Sequence, residues 1–186
     1  MRRFARATQG IAALEFALVA PILLLLLMGS IELPRAYGTS QGLVRAARTM
    51  ADLISRGGVG SVEDVYAAGA AVTFPDDTTG AGIVLTAVGV YQKGTGFEAR
   101  VCSSVARNAT ARVAGSAVDA VPETEMQAGA RYVMAEITLP YRPIFDVFPG
   151  LSTLVLARQA TWPMRGTGSS TSTETILPGG RSCPAT

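Results

Sequence analysis

The chain has 186 residues, 48 % hydrophobic and 16 % charged, with a formal net charge of +2 and a mean hydropathy of +0.32. Its basic residues are scattered arginines plus Lys93, which excludes the basic patch or stripe of a nucleic-acid footprint. Histidine is absent, which excludes Ser-His-Asp and Cys-His catalysis and histidine-ligated metals.

Arg2, Arg3 and Arg6 open the chain with no acid among them. Residues 11–31, IAALEFALVAPILLLLLMGSI, come next; as a helix they measure about 31 Å, against a hydrocarbon thickness of about 30 Å. The run Ile22 to Met28 has no polar face, which excludes a soluble core helix and predicts one transmembrane helix. Glu32 and Arg35 nearly cancel beyond it, so the positive-inside rule keeps the N-terminus cytoplasmic and exports the chain beyond Ile31. A cleaved signal peptide fits less well, because the best small-x-small site, Ala36-Tyr37-Gly38, lies beyond Pro34-Arg35. Arg2-Arg3 lacks the polar context of a twin-arginine signal.

Two residues inside the apolar segment need a reason. Pro21 removes a backbone donor, which a membrane helix tolerates at a kink when neighbours satisfy the freed carbonyl. Glu15 is an acid in an apolar helix, costing about 3 kcal/mol at a bilayer centre and less near the interface. On its own it reads as an interfacial side chain that snorkels to water.

The string Gly10-Ile11-Ala12-Ala13-Leu14-Glu15-Phe16 resembles a type IV prepilin processing signal, with cleavage after Gly and Glu at the fifth mature position. With Gln9, Pro21, the leucine run and Glu32-Leu33-Pro34-Arg35-Ala36-Tyr37, residues 9–37 resemble the TadE family of tight-adherence (Flp-type) minor pilins. The resemblance implies cleavage between Gly10 and Ile11 by a prepilin peptidase, with Glu15, Phe16 and Pro21 as the assembly and processing motif. It also implies pairing of Glu15 with the new Ile11 amine. The two lie one helical turn apart on one face, so the pair forms within one chain or between neighbouring subunits.

Beyond the span, Leu43, Ala46, Ala47, Met50, Leu53 and Ile54 recur at helical spacing. They predict an amphipathic helix from about Ala36 to Ser55, joined to the membrane helix across a bend at Pro34 and ended by Gly57-Gly58. Ser61-Val62-Glu63-Asp64 reads as an N-cap with acids in the first turn, opening a short helix to about Ala71. Ile83 to Tyr91 and Phe97 to Val105 predict a hairpin about the glycine loop 92–96, and Tyr132 to Leu139 and Thr153 to Trp162 two further strands. Residues 108–127 carry no clear pattern. The irregular stretch from Pro140 through Tyr141, Pro143 and Phe145 to Gly150 resembles one that TadE-like proteins carry between their last strands. Gly166 to Thr175 has the composition of a flexible tail.

Cys102 and Cys183 are too few for a structural zinc site and too far apart for a redox pair. Two readings stand: a disulfide, natural in an oxidising periplasm, or two unpaired thiols. A bridge would pin the tail to the hairpin. The acid pairs Asp76-Asp77 and Glu123-x-Glu125 read as solvated turn residues rather than catalytic carboxylates.

The expected fold is α+β and pilin-like: a long N-terminal transmembrane helix continuing into an amphipathic helix packed on a small antiparallel sheet. The expected organisation is a cytoplasmic leader (1–10), a transmembrane helix (11–31), an exported domain (32–165) and a C-terminal tail (166–186). No catalytic residue, metal or cofactor is expected. The function implied is a minor pilin or assembly and initiation factor of a tight-adherence pilus. Its partners would be a prepilin peptidase, other pilin and minor pilin subunits, an inner-membrane assembly platform and membrane lipid, with no nucleic acid. It would be a single-pass inner-membrane protein whose head is periplasmic or part of an extracellular pilus. The competing readings are a membrane-anchored periplasmic binding or adhesion domain outside any filament and, less well supported, a periplasmic hydrolase on a signal anchor. Substituting Gly10→Ala should leave a larger, unprocessed precursor in the membrane of the native host; normal processing on an immunoblot would show that the cut lies elsewhere.

Overall fold

The structure is a computed structural model that describes residues 9–57, 60–119, 121–148, 150–165, 176–177 and 182–183. The leader arginines and the Gly/Ser/Thr-rich stretch 166–175 lie outside the described residues. The elements are α1 (Gln9–Ser55), α2 (Val62–Thr73), β1 (Gly82–Lys93), β2 (Gly96–Arg107), β3 (Ala117–Val118), β4 (Arg131–Pro140) and β5 (Val155–Pro163), with a 3-10 turn at Glu123–Glu125.

The bend expected at Pro34 does not divide the helix. α1 runs unbroken for 47 residues with Pro21 and Pro34 both inside it. An interior proline costs a helix about 3 kcal/mol through its missing donor and a steric clash. That cost is outweighed because α1 is held on both sides of Pro34. On the C-terminal side, Leu43, Ala46, Ala47, Met50, Ala51 and Ile54 are buried as one stripe. At Glu32, just before the proline, hydrogen bonds tie the helix to the loop after β4.

α2 begins where its sequence directs. Ser61 has extended backbone and its Oγ accepts from the Asp64 N–H at 3.2 Å, with Glu63 and Asp64 favourable in the positive first turn. The helix then lies close against α1, and Gly69 makes the approach possible. A Cβ at that position would sit 2.8 Å from Met50 Sδ.

The five strands form one antiparallel sheet in the order β3-β2-β1-β4-β5. β1 and β2 extend further than their apolar runs, so the expected five-residue loop shrinks to a tight turn at Gly94-Thr95, with Gly94 at φ 59°. One face of the sheet carries Ile83, Leu85, Ala87, Val133, Ala135 and Ile137 against the helices. The opposite face carries Val88, Val90, Ala99, Tyr132 and Met134 beneath Val118, Val121 and Ala130. Val118 and Val121 of this second layer belong to the stretch that carries no clear pattern in sequence. There Arg112 grips Glu136 with two hydrogen bonds, 2.8 and 2.7 Å, and its amide donates to Ser104 Oγ at 3.1 Å.

A β-bulge decides how the C-terminal segment docks. Ala87 pairs with Ser103 while the next residue, Val88, pairs with Val101, leaving Cys102 as the extra residue of β2. A bulge reverses the inside-outside alternation beyond it. Val101 therefore faces the outer layer, while Cys102 belongs to the helix-side core. Cys102 is joined to Cys183 by a disulfide with a Cα–Cα separation of 4.4 Å. Ser103 Oγ accepts from the N–H of buried Leu177 at 3.0 Å. The cross-link spans 81 residues, for which loop-closure entropy predicts about 4 kcal/mol of stabilisation. Replacing Cys183→Ser should lower stability by roughly 2–4 kcal/mol in denaturant unfolding; an unchanged midpoint would mean that the bridge adds nothing.

Candidate functional site: the apolar helix and its junction with the head

The first half of α1 leaves its apolar side chains uncovered. Ile11, Leu14, Phe16, Leu18 and the leucine run to Leu27 are all exposed, Phe16 at 70 %. One helix is thus long and apolar enough to cross a membrane, and its most apolar window has none of its residues buried. Gly10, Ile11, Glu15, Phe16 and Pro21 all lie on this uncovered part, with Ile11 and Glu15 one turn apart on one face. Among the described residues Glu15 has no hydrogen-bond or ion-pair partner.

The other acid bordering the apolar segment is treated oppositely. Glu32 reads in sequence as a charge that Arg35 nearly cancels, but the structure buries it completely. Tyr141, immediately after β4, donates its hydroxyl to Glu32 Oε1. The Ile144 N–H donates to Oε2 at 3.1 Å and the Phe145 N–H to the same oxygen at 3.3 Å. Arg35 does not bond the carboxylate; its Nη1 donates to the Arg142 carbonyl at 3.3 Å. One turn of α1 therefore holds two points of the loop that leaves β4.

The electrostatics follow from this geometry. Burial alone would raise the Glu32 carboxyl, but the Tyr141 hydroxyl, the Phe145 and Ile144 amides and the Arg35 charge together hold it below its ordinary value of 4.5. Tyr141 is pushed up to about 12, first by burial and then by its bond to Glu32. Because the folded carboxyl sits below 4.5, its contribution is complete above pH 4.5 and is lost as pH falls through the lowered value. Because the folded phenol sits above 10, its contribution is complete below pH 10 and fades as pH rises towards 12.

The loop also reaches back along α1 towards the apolar segment. Phe148 lies beside Gly29, where an added Cβ would be 3.4 Å from the ring's Cζ. Lower on the head, Tyr141 N–H donates to the Leu154 carbonyl at 2.8 Å, and Arg158 of β5 donates through Nε to Ser40 Oγ at 2.9 Å. The acid pairs that read as turn residues are so used here. Asp77 Oδ1 accepts from the amide and hydroxyl of Thr79, at 2.9 and 2.7 Å, and Glu123 and Glu125 occupy the 3-10 turn without burial.

Residues 10–52 match the family of TadE-like proteins, a span that coincides with nearly all of α1 and stops short of α2 and the sheet. The resemblance carried by Gly10, Glu15, Phe16, Pro21 and Glu32 through Tyr37 falls inside that match, which associates the chain with tight-adherence pili. No curated protein and no solved structure matches the chain. Replacing Glu32→Ala strands a buried hydroxyl and two amides, and should destabilise the head by roughly 1–3 kcal/mol. Tyr141→Phe, which removes one donor, should cost about 1 kcal/mol. Both values are read from denaturant unfolding of the detergent-solubilised chain, and the parent's advantage over Glu32→Ala should shrink below pH 4.5.

Proposed function

We propose that this chain is a minor pilin or assembly and initiation factor of a tight-adherence pilus, made as a precursor and cut after Gly10 by a prepilin peptidase. In this reading residues 1–10 are the cytoplasmic leader and 11–31 cross the inner membrane. Residues 32–165 form the exported head, and 166–186 its tail. The observation that carries the reading is an overlap. The TadE-like match covers residues 10–52, and it contains the whole uncovered apolar stretch of α1 together with the Glu32 junction. A membrane anchor alone needs the apolar length; a filament subunit also needs that surface free for neighbouring helices.

The chemistry of processing fits the same segment. Cleavage would place an ammonium on Ile11 one turn from Glu15, giving this carboxylate a cationic partner within the chain or across a subunit contact. Prepilin peptidase, other pilin subunits, the inner-membrane assembly platform and lipid are the partners this requires. The head serves as a structural element, and no catalytic residue is assigned to it.

Intact mass of the protein extracted from native membranes and from sheared filaments tests this directly. The expected mature chain begins at Ile11 and is found with the filaments, or is required for filaments to form. Retention of Met1 would overturn the processing. A mature chain dispensable for filaments would favour the membrane-anchored binding domain.

A further inference from the structure

We infer that the loop from Arg142 to Phe148 is a second membrane contact, its apolar tip seated in the lipid interface beside the end of the apolar half of α1. The inference rests on the reading of residues 11–31 as a membrane span. If that segment spans, the position of the loop along α1 fixes its depth. Phe148 abuts Gly29, two residues inside the span's end, or about 3 Å at 1.5 Å per residue. Ile144 and Val147, on the same loop, are 56 % and 46 % exposed, and Ile31 and Leu33 of α1 are exposed at the same level. These side chains have no protein covering them at a depth where acyl chains begin.

Charge is ordered along the same axis. Arg35 lies six residues beyond Gly29, about 9 Å further out, and donates to the backbone of Arg142, so two guanidinium-bearing residues are held together there. Each headgroup layer is roughly 5–8 Å thick. Ile144, Val147 and Phe148 inside and arginines at phosphate level, with the exposed Asp146 as the loop's one acid at the headgroup boundary, make the arrangement of an interfacial anchor, whose binding combines buried apolar area with attraction to lipid phosphates. Glu32 is the positioning residue, because its carboxylate holds the Ile144 and Phe145 amides and so aims the tip.

The test uses the full chain with Trp162→Phe, so that one introduced tryptophan reports alone, in phosphatidylcholine vesicles with and without brominated acyl chains. Leu24→Trp marks the span, Val147→Trp the loop tip, and Phe97→Trp the far end of the hairpin. That end is about 36 Å along β1 from the strand end beside Thr138. An intact Cys102–Cys183 bridge on a non-reducing gel confirms that each variant has folded. Brominated lipid should quench the tryptophans at 24 and 147 and leave the one at 97 unaffected. Adding Glu32→Gln should weaken quenching at 147 while leaving 24 unchanged. Quenching at 24 with none at 147 would overturn the loop contact while leaving the span intact, and equal quenching at 97 would also overturn it, since the whole head would then lie on the bilayer. No quenching at 24 would remove the span reading and this inference with it.

Discussion

The buried carboxylate of Glu32 is the constraint on which the rest of the architecture depends. A desolvated charge is expensive unless it is fully hydrogen-bonded, and here one oxygen meets a phenol while the other meets two backbone amides. None of these donors is on α1. They all lie on the loop after β4, more than a hundred residues later in the chain, so satisfying Glu32 requires the head to be assembled against the end of the apolar helix. The same bonds bear on Pro34. A proline two residues beyond the attachment point frees a helical carbonyl, yet the helix continues, because its flanks are clamped by Glu32 before the proline and by the buried Leu43–Ile54 stripe after it. The result is one long rod with a sheet fastened along its second half.

The sheet is built to be covered on both faces, and its edges are managed differently. β3 contributes only two residues, too few to template another strand, and the segment around it lies over the outer face. β5 is longer, and places Arg158 on the helix side, where it bonds Ser40 of α1. An inward-pointing charge on an edge strand disfavours extension of the sheet by a foreign strand. The bulge at Cys102 belongs to the same logic. Without the extra residue, the alternation that points Val101 outward would point Ser103 outward too, and the C-terminal segment would lose its acceptor at Leu177 on the helix side.

The sequence makes legible what is encoded locally. The leucine run, the helical repeat of Leu43 to Ile54, the Ser61 cap and the glycines of the hairpin each act within a few residues, and each element appears close to its expected place. The features that escape are those whose partners are distant. Glu32 looks like a surface charge because nothing near it in sequence announces Tyr141 and the amides of Ile144 and Phe145. The bulge is hidden, because a strand that changes face in mid-course shows only a short disturbance in its alternation. Residues 108–127 have weak periodicity since their burial comes from Arg112 meeting Glu136 and from a few small apolar contacts, not from a regular stripe. Pro34 stays inside a continuous helix for the same reason: propensity is a local cost, and tertiary clamping decides the outcome.

The two acids at the ends of the apolar segment separate architecture from association. Glu32, at the head end, has every hydrogen bond it needs from its own chain, so nothing outside the protein is required to keep it where it is. Glu15, at the other end, has no such partner among the described residues and lies on an uncovered apolar helix. Near the start of an apolar segment an acid costs less than the roughly 3 kcal/mol of a bilayer centre, but the folded head, fastened about five turns away, has no means to offset that cost. Its compensation must come from the new amine that processing would create, from another chain, or from the interface. Among the described residues, then, the chain satisfies one of these acids internally and leaves the other open, at the opposite end of the same apolar stretch of α1.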